Sequence, residues 1–439
     1  MAIKIAVIGT GYVGISTCVG LSDFGNIVVG FDIDDNKIKR LSSGDPVIYE
    51  NGMEYYLKKN LETGRLSFTS DFKVALKDAE VVFLAVGTPE REDGSADLSQ
   101  IKSALDAIAE IIDRPLVIVT KSTVPAGTNR WINDYMSSKV DENLFEVVSN
   151  PEFLREGKAI HDFFHPDRVV IGTKDGKENP IMRDIYRSLY LIETPFIWCN
   201  WETAELIKYA SNAFLATKIT FINQMANLAE EMGADIHKIA KAMGMDGRIS
   251  SKFLHPGPGY GGSCFPKDTK ALAKTGRKVG VVMSLIEEVI SSNETQKERM
   301  IEKAKRLLEN NISDKKVAVL GLAFKAETDD IRESPAITIV KGFLKEGVKI
   351  SAHDPKAVEN FKKLFPYVEY YDNAYDACKN ANLVIICTEW NDYRNLDLDE
   401  ISRNVKEKKI LDLRNVLDPE SAIKKGFVYE GVGRKGVNL

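Results

Sequence analysis

The sequence predicts an α/β protein built from two Rossmann-like, doubly wound domains joined by a long central helix and a helical middle region. Three observations predict it. A glycine fingerprint, Gly9-Thr-Gly-Tyr-Val-Gly14, lies between an apolar run of strand length and a helix-compatible stretch. The same order of strands and turns recurs in the last third of the chain. Between the two, residues 201–232 hold neither glycine nor proline and carry apolar residues at helical spacing.

Residues 3–8 read as the first strand, 15–24 as a helix, and 27–31 as a second strand ending at Asp32; apolar runs at 81–86 and 116–120 follow. Strands alternating with helical stretches imply a parallel sheet. In the second half Lys316-Val-Ala-Val-Leu-Gly321 echoes Lys4-Ile-Ala-Val-Ile-Gly9, and Val348-Lys-Ile-Ser-Ala-His-Asp354 echoes Val28-Val-Gly-Phe-Asp32. Residues 381–388 echo 79–86, and 409–414 echo 116–120. Buried strands are alike in being Val/Ile-rich, but a shared order argues for repetition. The helix over 201–232 would be roughly 48 Å long at about 1.5 Å per residue. It is a natural surface for a homodimer or larger assembly. More helix is expected over 235–243 and from about 269 to 310, interrupted by the glycine- and proline-rich stretch 255–266.

The 439 residues suffice for two or three domains. A net charge of -5 gives no electrostatic case for nucleic acid. No apolar run reaches membrane-spanning length. The chain runs straight into a strand from Met1, so no cleavable signal is expected. Five scattered cysteines, an odd number, point to a reducing cytoplasm rather than a disulfide framework, and no Cys/His spacing resembles a zinc site, so no metal is expected.

In the fingerprint, Gly9 permits a tight turn, Gly11 lets backbone approach a pyrophosphate, and Gly14 lets helix pack on strand. The helix N-terminus faces the phosphates. Asp32 stands where an acid binds the ribose 2'-hydroxyl and would repel a 2'-phosphate. The cofactor expected is therefore NAD, a preference that Lys37 weakens slightly. The expected division is 1–200, NAD-binding; 201–310, central helical; and 311–439, a second Rossmann-like domain. In the second repeat Gly321-Leu-Ala-Phe-Lys325 lacks the second glycine, so that crevice would take a different nucleotide. Lys325 and Arg414 fall at strand ends, either to meet phosphates or as solvated cations.

The most informative stretch is Gly257-Pro-Gly-Tyr-Gly-Gly-Ser-Cys264-Phe-Pro-Lys-Asp268. Its glycines admit a substrate to the backbone, and Pro266 suits a first helical turn. Cys264 would sit at a helix N-terminus with Lys267 nearby, both of which lower a thiol pKa. A thiolate there is a nucleophile for covalent catalysis; the other four cysteines read as core. Lys208 and Asn212 are one helical turn apart, either to hold an oxyanion or as a polar stripe. Glu152 and Glu156 would share a face if the turn after Asn150-Pro151 is helical, where one could act as base or position a water, or both be ordinary first-turn acids. Lys121-Ser-Thr123 offers a hydroxyl at the sheet's C-terminal edge, or an ordinary polar loop.

Together these segments, with Ser122-Thr-Val-Pro-Ala-Gly-Thr128, Asn150-Pro-Glu-Phe-Leu-Arg-Glu-Gly157, Phe324-Lys325 and Arg332-Glu-Ser-Pro335, make the chain resemble the UDP-glucose/GDP-mannose dehydrogenase family along its whole length. The resemblance implies NAD in the first domain and a nucleotide sugar in the second. It implies Cys264 as nucleophile, Lys208 and Asn212 at the oxyanion, Thr123 and Asp268 on a catalytic water, and Glu152 as base. It adds Tyr12, Val13, Lys37, Thr88, Thr123, Glu156 and Arg332 to the cofactor side. Around the sugar nucleotide it implies Glu152, Phe153, Leu154, Arg155, Glu156, Lys208, Asn212, Phe253, Tyr260, Gly261, Lys325 and Arg414, with Arg248 reaching a neighbouring subunit's pocket. His255 replaces a lysine of some relatives. The activity implied is a four-electron oxidation at C6, of UDP-glucose ahead of GDP-mannose or UDP-N-acetylhexosamines. A two-electron 3-hydroxyacid dehydrogenase would lack the cysteine loop and the second repeat; a sensor that kept the fold would not turn NAD over.

Overall fold

The computed structural model describes residues 2–310 and 312–434. The chain divides into two compact units, Met1–Ser211 with Lys274–Gly280, and Asn212–Ala273 with Val281–Leu439.

The first unit is built on eight strands: β1 Lys4–Ile8, β2 Ile27–Phe31, β3 Leu66–Thr69, β4 Val81–Leu84, β5 Leu116–Thr120, β6 Phe145–Ser149, β7 Val169–Thr173 and β8 Phe196–Asn200. Their order is β3-β2-β1-β4-β5-β6-β7-β8. The first six have the 3-2-1-4-5-6 order of a doubly wound dinucleotide fold; β7 joins β6 antiparallel. Side chains alternate across such a sheet. Ile5, Val7, Val81 and Phe83 pack on one face with Ile15 and Val19, and Ala6, Ile8, Val82 and Leu84 on the other with Ile101 and Leu105. Burial on both faces is why the strands read as continuous apolar runs.

The second unit repeats the topology in six strands, all parallel: β9 Lys316–Leu320, β10 Lys349–His353, β11 Glu369–Tyr370, β12 Leu383–Ile386, β13 Lys409–Asp412 and β14 Val428–Gly431, in the order β11-β10-β9-β12-β13-β14. The repeat extends to single bonds. Gly9 N donates to Phe31 O at 2.8 Å, and Gly321 N donates to His353 O at 2.8 Å. Both glycines have left-handed φ, +91° and +94°, at the turn that leaves the first strand of each sheet.

The long helix runs over Trp201–Met232, as expected, and a shorter one over Ile236–Gly244. The expected helix from about 269 to 310 is instead two, Phe265–Lys278 and Ser284–Leu307. Gly280, at φ +77°, breaks it. In the second unit Ile222, Ala226 and Ala229 of the long helix and Met300, Ala304 and Leu307 of the last share one core with the sheet. Lys303, buried among them, donates to Glu230 Oε1 at 2.5 Å and Gly431 O at 2.7 Å.

Candidate active site

The glycine turn of the first unit is shaped for a diphosphate. A Cβ on Gly14 would lie 1.8 Å from Gly9 O, so only glycine allows the helix this close to the strand. A Cβ on Gly11 would meet nothing within 4 Å: the space above it is open. The helix Tyr12–Asp23 begins with no side-chain cap and no acid in its first turn, leaving amide N–H groups for an anion. These residues fit NAD.

Asp32 accepts from Thr10 N at 3.0 Å, Thr10 Oγ1 at 2.8 Å and Lys37 Nζ at 2.8 Å. Burial works to raise its pKa, but Lys37 and Thr10 outweigh it and hold the carboxyl below its ordinary value. Lys37 thus neutralises Asp32 rather than standing free for a 2'-phosphate. Asp32→Ala is expected to weaken NAD binding by about 1.5–3 kcal/mol, the worth of a hydrogen bond to a charged group, read as the NAD dissociation constant by calorimetry. Unchanged affinity, or equal use of NADP by the unmodified protein, would remove Asp32 from the ribose.

The second turn differs. Asp354, the counterpart of Asp32, is buried and accepts from Leu322 N at 2.7 Å, Ala323 N at 3.1 Å and Trp390 Nε1 at 3.1 Å. That acid is closed into its own loop, which agrees with the missing second glycine.

At the C-terminal edge of the first sheet, loops are tied to one another. Ser122 Oγ donates to Val86 O at 2.6 Å, and Thr88 Oγ1 donates to Thr123 O at 2.9 Å, which fixes the backbone at Thr123. The stretch after β6 is not helical, so Glu152 and Glu156 do not share a helix face. Asn150-Pro151 leads instead into an irregular loop with a turn at 156–157. Glu152 is buried in it; Oε2 accepts from Leu154 N at 2.5 Å and Oε1 from Lys208 Nζ at 3.0 Å. Phe153 carries the Arg168 guanidinium 3.7 Å from its ring centre, and the Lys208 ammonium lies 5.4 Å from that centre. Arg155 is held by Asp162, Nη2 to Oδ1 at 2.5 Å.

Glu50, which no motif singled out, binds the loop to the glycine turn. It accepts from Gly157 N at 2.7 Å and Ala159 N at 2.8 Å, and pairs with the Tyr12 hydroxyl. Burial first, then Glu50 and the nearby charge of Glu156, push that hydroxyl well above its ordinary range. Val13 follows Tyr12 in the helix, partly buried.

In the second unit Asn212 Nδ2 donates to Asp268 Oδ2 at 2.6 Å, both residues buried. Lys267 Nζ donates to Asp268 Oδ1 at 2.5 Å. The charge expected to act on the Cys264 thiol is therefore offset by Asp268. Cys264 is half-buried and immediately precedes the helix Phe265–Lys278, its Sγ 3.5 Å from Ser263 Oγ. Three of the other cysteines are more deeply buried. Cys18, Cys378 and Cys387 are buried, and burial raises all three thiols, the last two to about 12. Cys199 is also raised by burial.

The glycine run before Cys264 has its main chain satisfied by buried carboxamides. Asn223 accepts from Gly257 N at 2.8 Å, Gln296 donates to Gly257 O at 2.9 Å, and Asn293 bonds both the N–H and the C=O of Tyr260, at 2.8 and 3.1 Å. The run lies against loops at the C-terminal edge of the second sheet. Gly262 N donates to Arg332 O at 2.8 Å, and a Cβ on Gly261 would lie 2.3 Å from Glu333 O. The Phe265 ring sits between Phe253, at 6.2 Å, and Tyr260, at 6.0 Å. Arg414 is not a solvated cation: it donates to Cys387 O at 2.9 Å and Phe324 O at 2.8 Å. Lys325 lies 5.5 Å from the Phe324 ring centre. The Arg332 side chain pairs with Asp330, and the exposed Arg248 with Asp246, both at 2.6 Å. Among the described residues no group of His, Cys, Asp and Glu could hold a metal ion, and no helix is long and apolar enough to cross a membrane.

Family comparisons agree with this geometry. Residues 3–190 match the NAD binding domain of the UDP-glucose/GDP-mannose dehydrogenase family, 202–295 its central domain and 318–419 its UDP binding domain. A UDP-glucose 6-dehydrogenase of Rhizobium meliloti is 45% identical over 434 residues, 98% of this chain and 99% of that protein. One from Bacillus subtilis is 44% identical, covering 99% of this chain and 98% of that one. The solved structure of a UDP-glucose dehydrogenase from Pyrobaculum islandicum superposes with a TM-score of 0.92 at 37% identity, covering 99% of this chain and 98% of that chain. Fold and glycine turn define an NAD-dependent dehydrogenase. The chain belongs to the UDP-glucose/GDP-mannose dehydrogenase family.

Proposed function

We propose that the chain oxidises the C6 alcohol of UDP-glucose to the carboxylate through a covalent intermediate on Cys264. The observation that carries this reading is the thiol itself: half-buried, at the end of a glycine run and at the head of a helix. The full-length likeness to UDP-glucose 6-dehydrogenases supports the choice of sugar nucleotide.

NAD, when bound over Gly9, Gly11 and Gly14, supplies the hydride acceptor for both oxidations. Removing one hydride and one proton from the alcohol leaves an aldehyde. The Cys264 thiolate adds to it, giving a thiohemiacetal whose oxygen Lys208 and Asn212 stabilise. Loss of the second hydride leaves a thioester. Glu152 then takes a proton from water, positioned by Thr123 and Asp268, which attacks the carbonyl and expels the thiolate. Two hydrides leave the carbon, and water supplies the second carboxylate oxygen. The covalent bond retains the sugar between the two oxidations.

Apolar side chains exposed along the long helix, Leu206, Phe214, Phe221 and Leu228, support a homo-oligomer, and free cysteines support a reducing cytoplasm. The substrate is tested with a panel of UDP-glucose, GDP-mannose and UDP-N-acetylglucosamine, followed by NADH absorbance. UDP-glucose is expected to have the highest kcat/KM by about tenfold or more. A preference for another member of the panel reassigns the substrate, and no turnover with any of them leaves a sensor.

A further inference from the structure

β7 runs antiparallel to β6, with Ser149 opposite Gly172. That direction lays the N-terminal end of β7 beside the C-terminal end of β6, where the loop of Glu152 and Phe153 begins. Asn150 Nδ2, donating to Val170 O at 2.8 Å, keeps the same register. Arg168, the residue before β7, is thereby carried to Phe153, and its guanidinium lies 3.7 Å from the centre of that ring. The Lys208 ammonium lies 5.4 Å from the same centre. One ring thus holds two cations, both close enough for its face to attract them.

The two cations are not equivalent. Lys208 pairs with Glu152 at 3.0 Å. Arg155, on the same loop, pairs with Asp162. Arg168 is partly buried, and among the described residues no acceptor bonds its guanidinium and no carboxylate pairs with it. Its sequence neighbour Asp167 is exposed and acts on it only through nearby charge, which opposes the lowering of the Arg168 pKa by burial. A guanidinium stacked on a ring keeps a planar fork of N–H donors for an acceptor in its own plane. Holding that fork partly out of water without an acceptor costs free energy, and its shape fits a carboxylate or a phosphate.

The proposed reaction handles two such anions. One is the diphosphate of the nucleotide, and the match to the family's UDP binding domain is over residues 318–419, in the second unit. The other is made by the reaction: C6 enters as a neutral alcohol and leaves as a carboxylate. We propose that Arg168, stacked on Phe153, binds the C6 carboxylate of the product. The proposal rests on UDP-glucose as substrate and on Lys208 serving the C6 oxygen, since Lys208 shares the ring with Arg168. In UDP-glucose C6 carries no charge, so Arg168 contributes to binding of the uronate and little to binding of the alcohol. UDP-glucuronate is then an inhibitor competitive with UDP-glucose.

The experiment measures dissociation constants of UDP-glucose and of UDP-glucuronate by calorimetry, without NAD, for the unmodified protein, Arg168→Gln and Arg168→Lys. UDP-glucose carries the diphosphate alone and serves as the control for folding. The expected result is that Arg168→Gln binds UDP-glucuronate about tenfold or more weakly, while UDP-glucose stays within about twofold in both variants. Arg168→Lys keeps the charge without the fork and should lose less. Equal losses for the two nucleotides place Arg168 at the diphosphate or in the packing of Phe153 and overturn the proposal. Unchanged affinity for both overturns it as well. If the unmodified protein binds neither nucleotide, the UDP-glucose reading fails and the proposal falls with it.

Discussion

Cys264→Ala is expected to lower steady-state turnover by about 10⁴-fold or more, the scale seen when a covalent nucleophile is removed. Binding of NAD and of UDP-glucose should stay within severalfold, because the residue is only half-buried and its neighbours bond through the main chain. Cys264→Ser keeps a nucleophilic atom of higher pKa. It should also nearly abolish turnover but capture some aldehyde, and mass spectrometry should find an ester on residue 264. No adduct is expected with alanine. Alkylation should inactivate the unmodified protein, and sugar nucleotide should protect it. Near-normal uronate production by Cys264→Ala would remove the covalent route.

Lys208→Met has the second largest expected effect. Lys208 and Glu152 form a 3.0 Å ion pair with side chains only 4% and 6% exposed. Removing the cation leaves a buried carboxylate unpaired, which costs about 3–5 kcal/mol. Turnover should fall by about 10²–10³-fold if the ammonium also supports the oxyanion. Adding Glu152→Gln to Lys208→Met should recover stability without recovering turnover. Chemical denaturation and steady-state kinetics separate the two effects. A Lys208→Met protein that is less stable but as active as the unmodified one would limit the pair to a structural role.

The fold was legible because its signals are local. Strand-length apolar runs, a glycine turn and 32 residues of uninterrupted helical spacing need no knowledge of distant partners. The repeat was legible because Gly321 and Asp354 recur in the order of Gly9 and Asp32. Where the local signal was ambiguous, the reading failed. Residues 269–310 keep helical spacing across Gly280, but the positive φ there breaks the helix. Asn150-Pro151 was compatible with a helical turn for Glu152 and Glu156, and the chain forms an irregular loop instead.

The chemistry of Cys264 was legible from its glycines and proline, but what holds the loop was not. Asn223, Asn293 and Gln296 come from helices tens of residues away, and nothing in their own neighbourhoods marks them. Glu50 reaches Gly157 across 107 residues. Arg414 reads as a surface cation by type, and only the fold turns it inward onto the Cys387 and Phe324 carbonyls. Lys121 stands beside a recognised hydroxyl motif, yet its burial depends on Asn150 and Tyr186, from β6 onward.

The central claim is a four-electron oxidation retained on one thiol. The ratio of NADH formed to UDP-glucose consumed, with sugar limiting and NAD in excess, tests it most directly. Two NADH per sugar, with UDP-glucuronate as the sole product, is the predicted result. A ratio of one, with free aldehyde released, would contradict it.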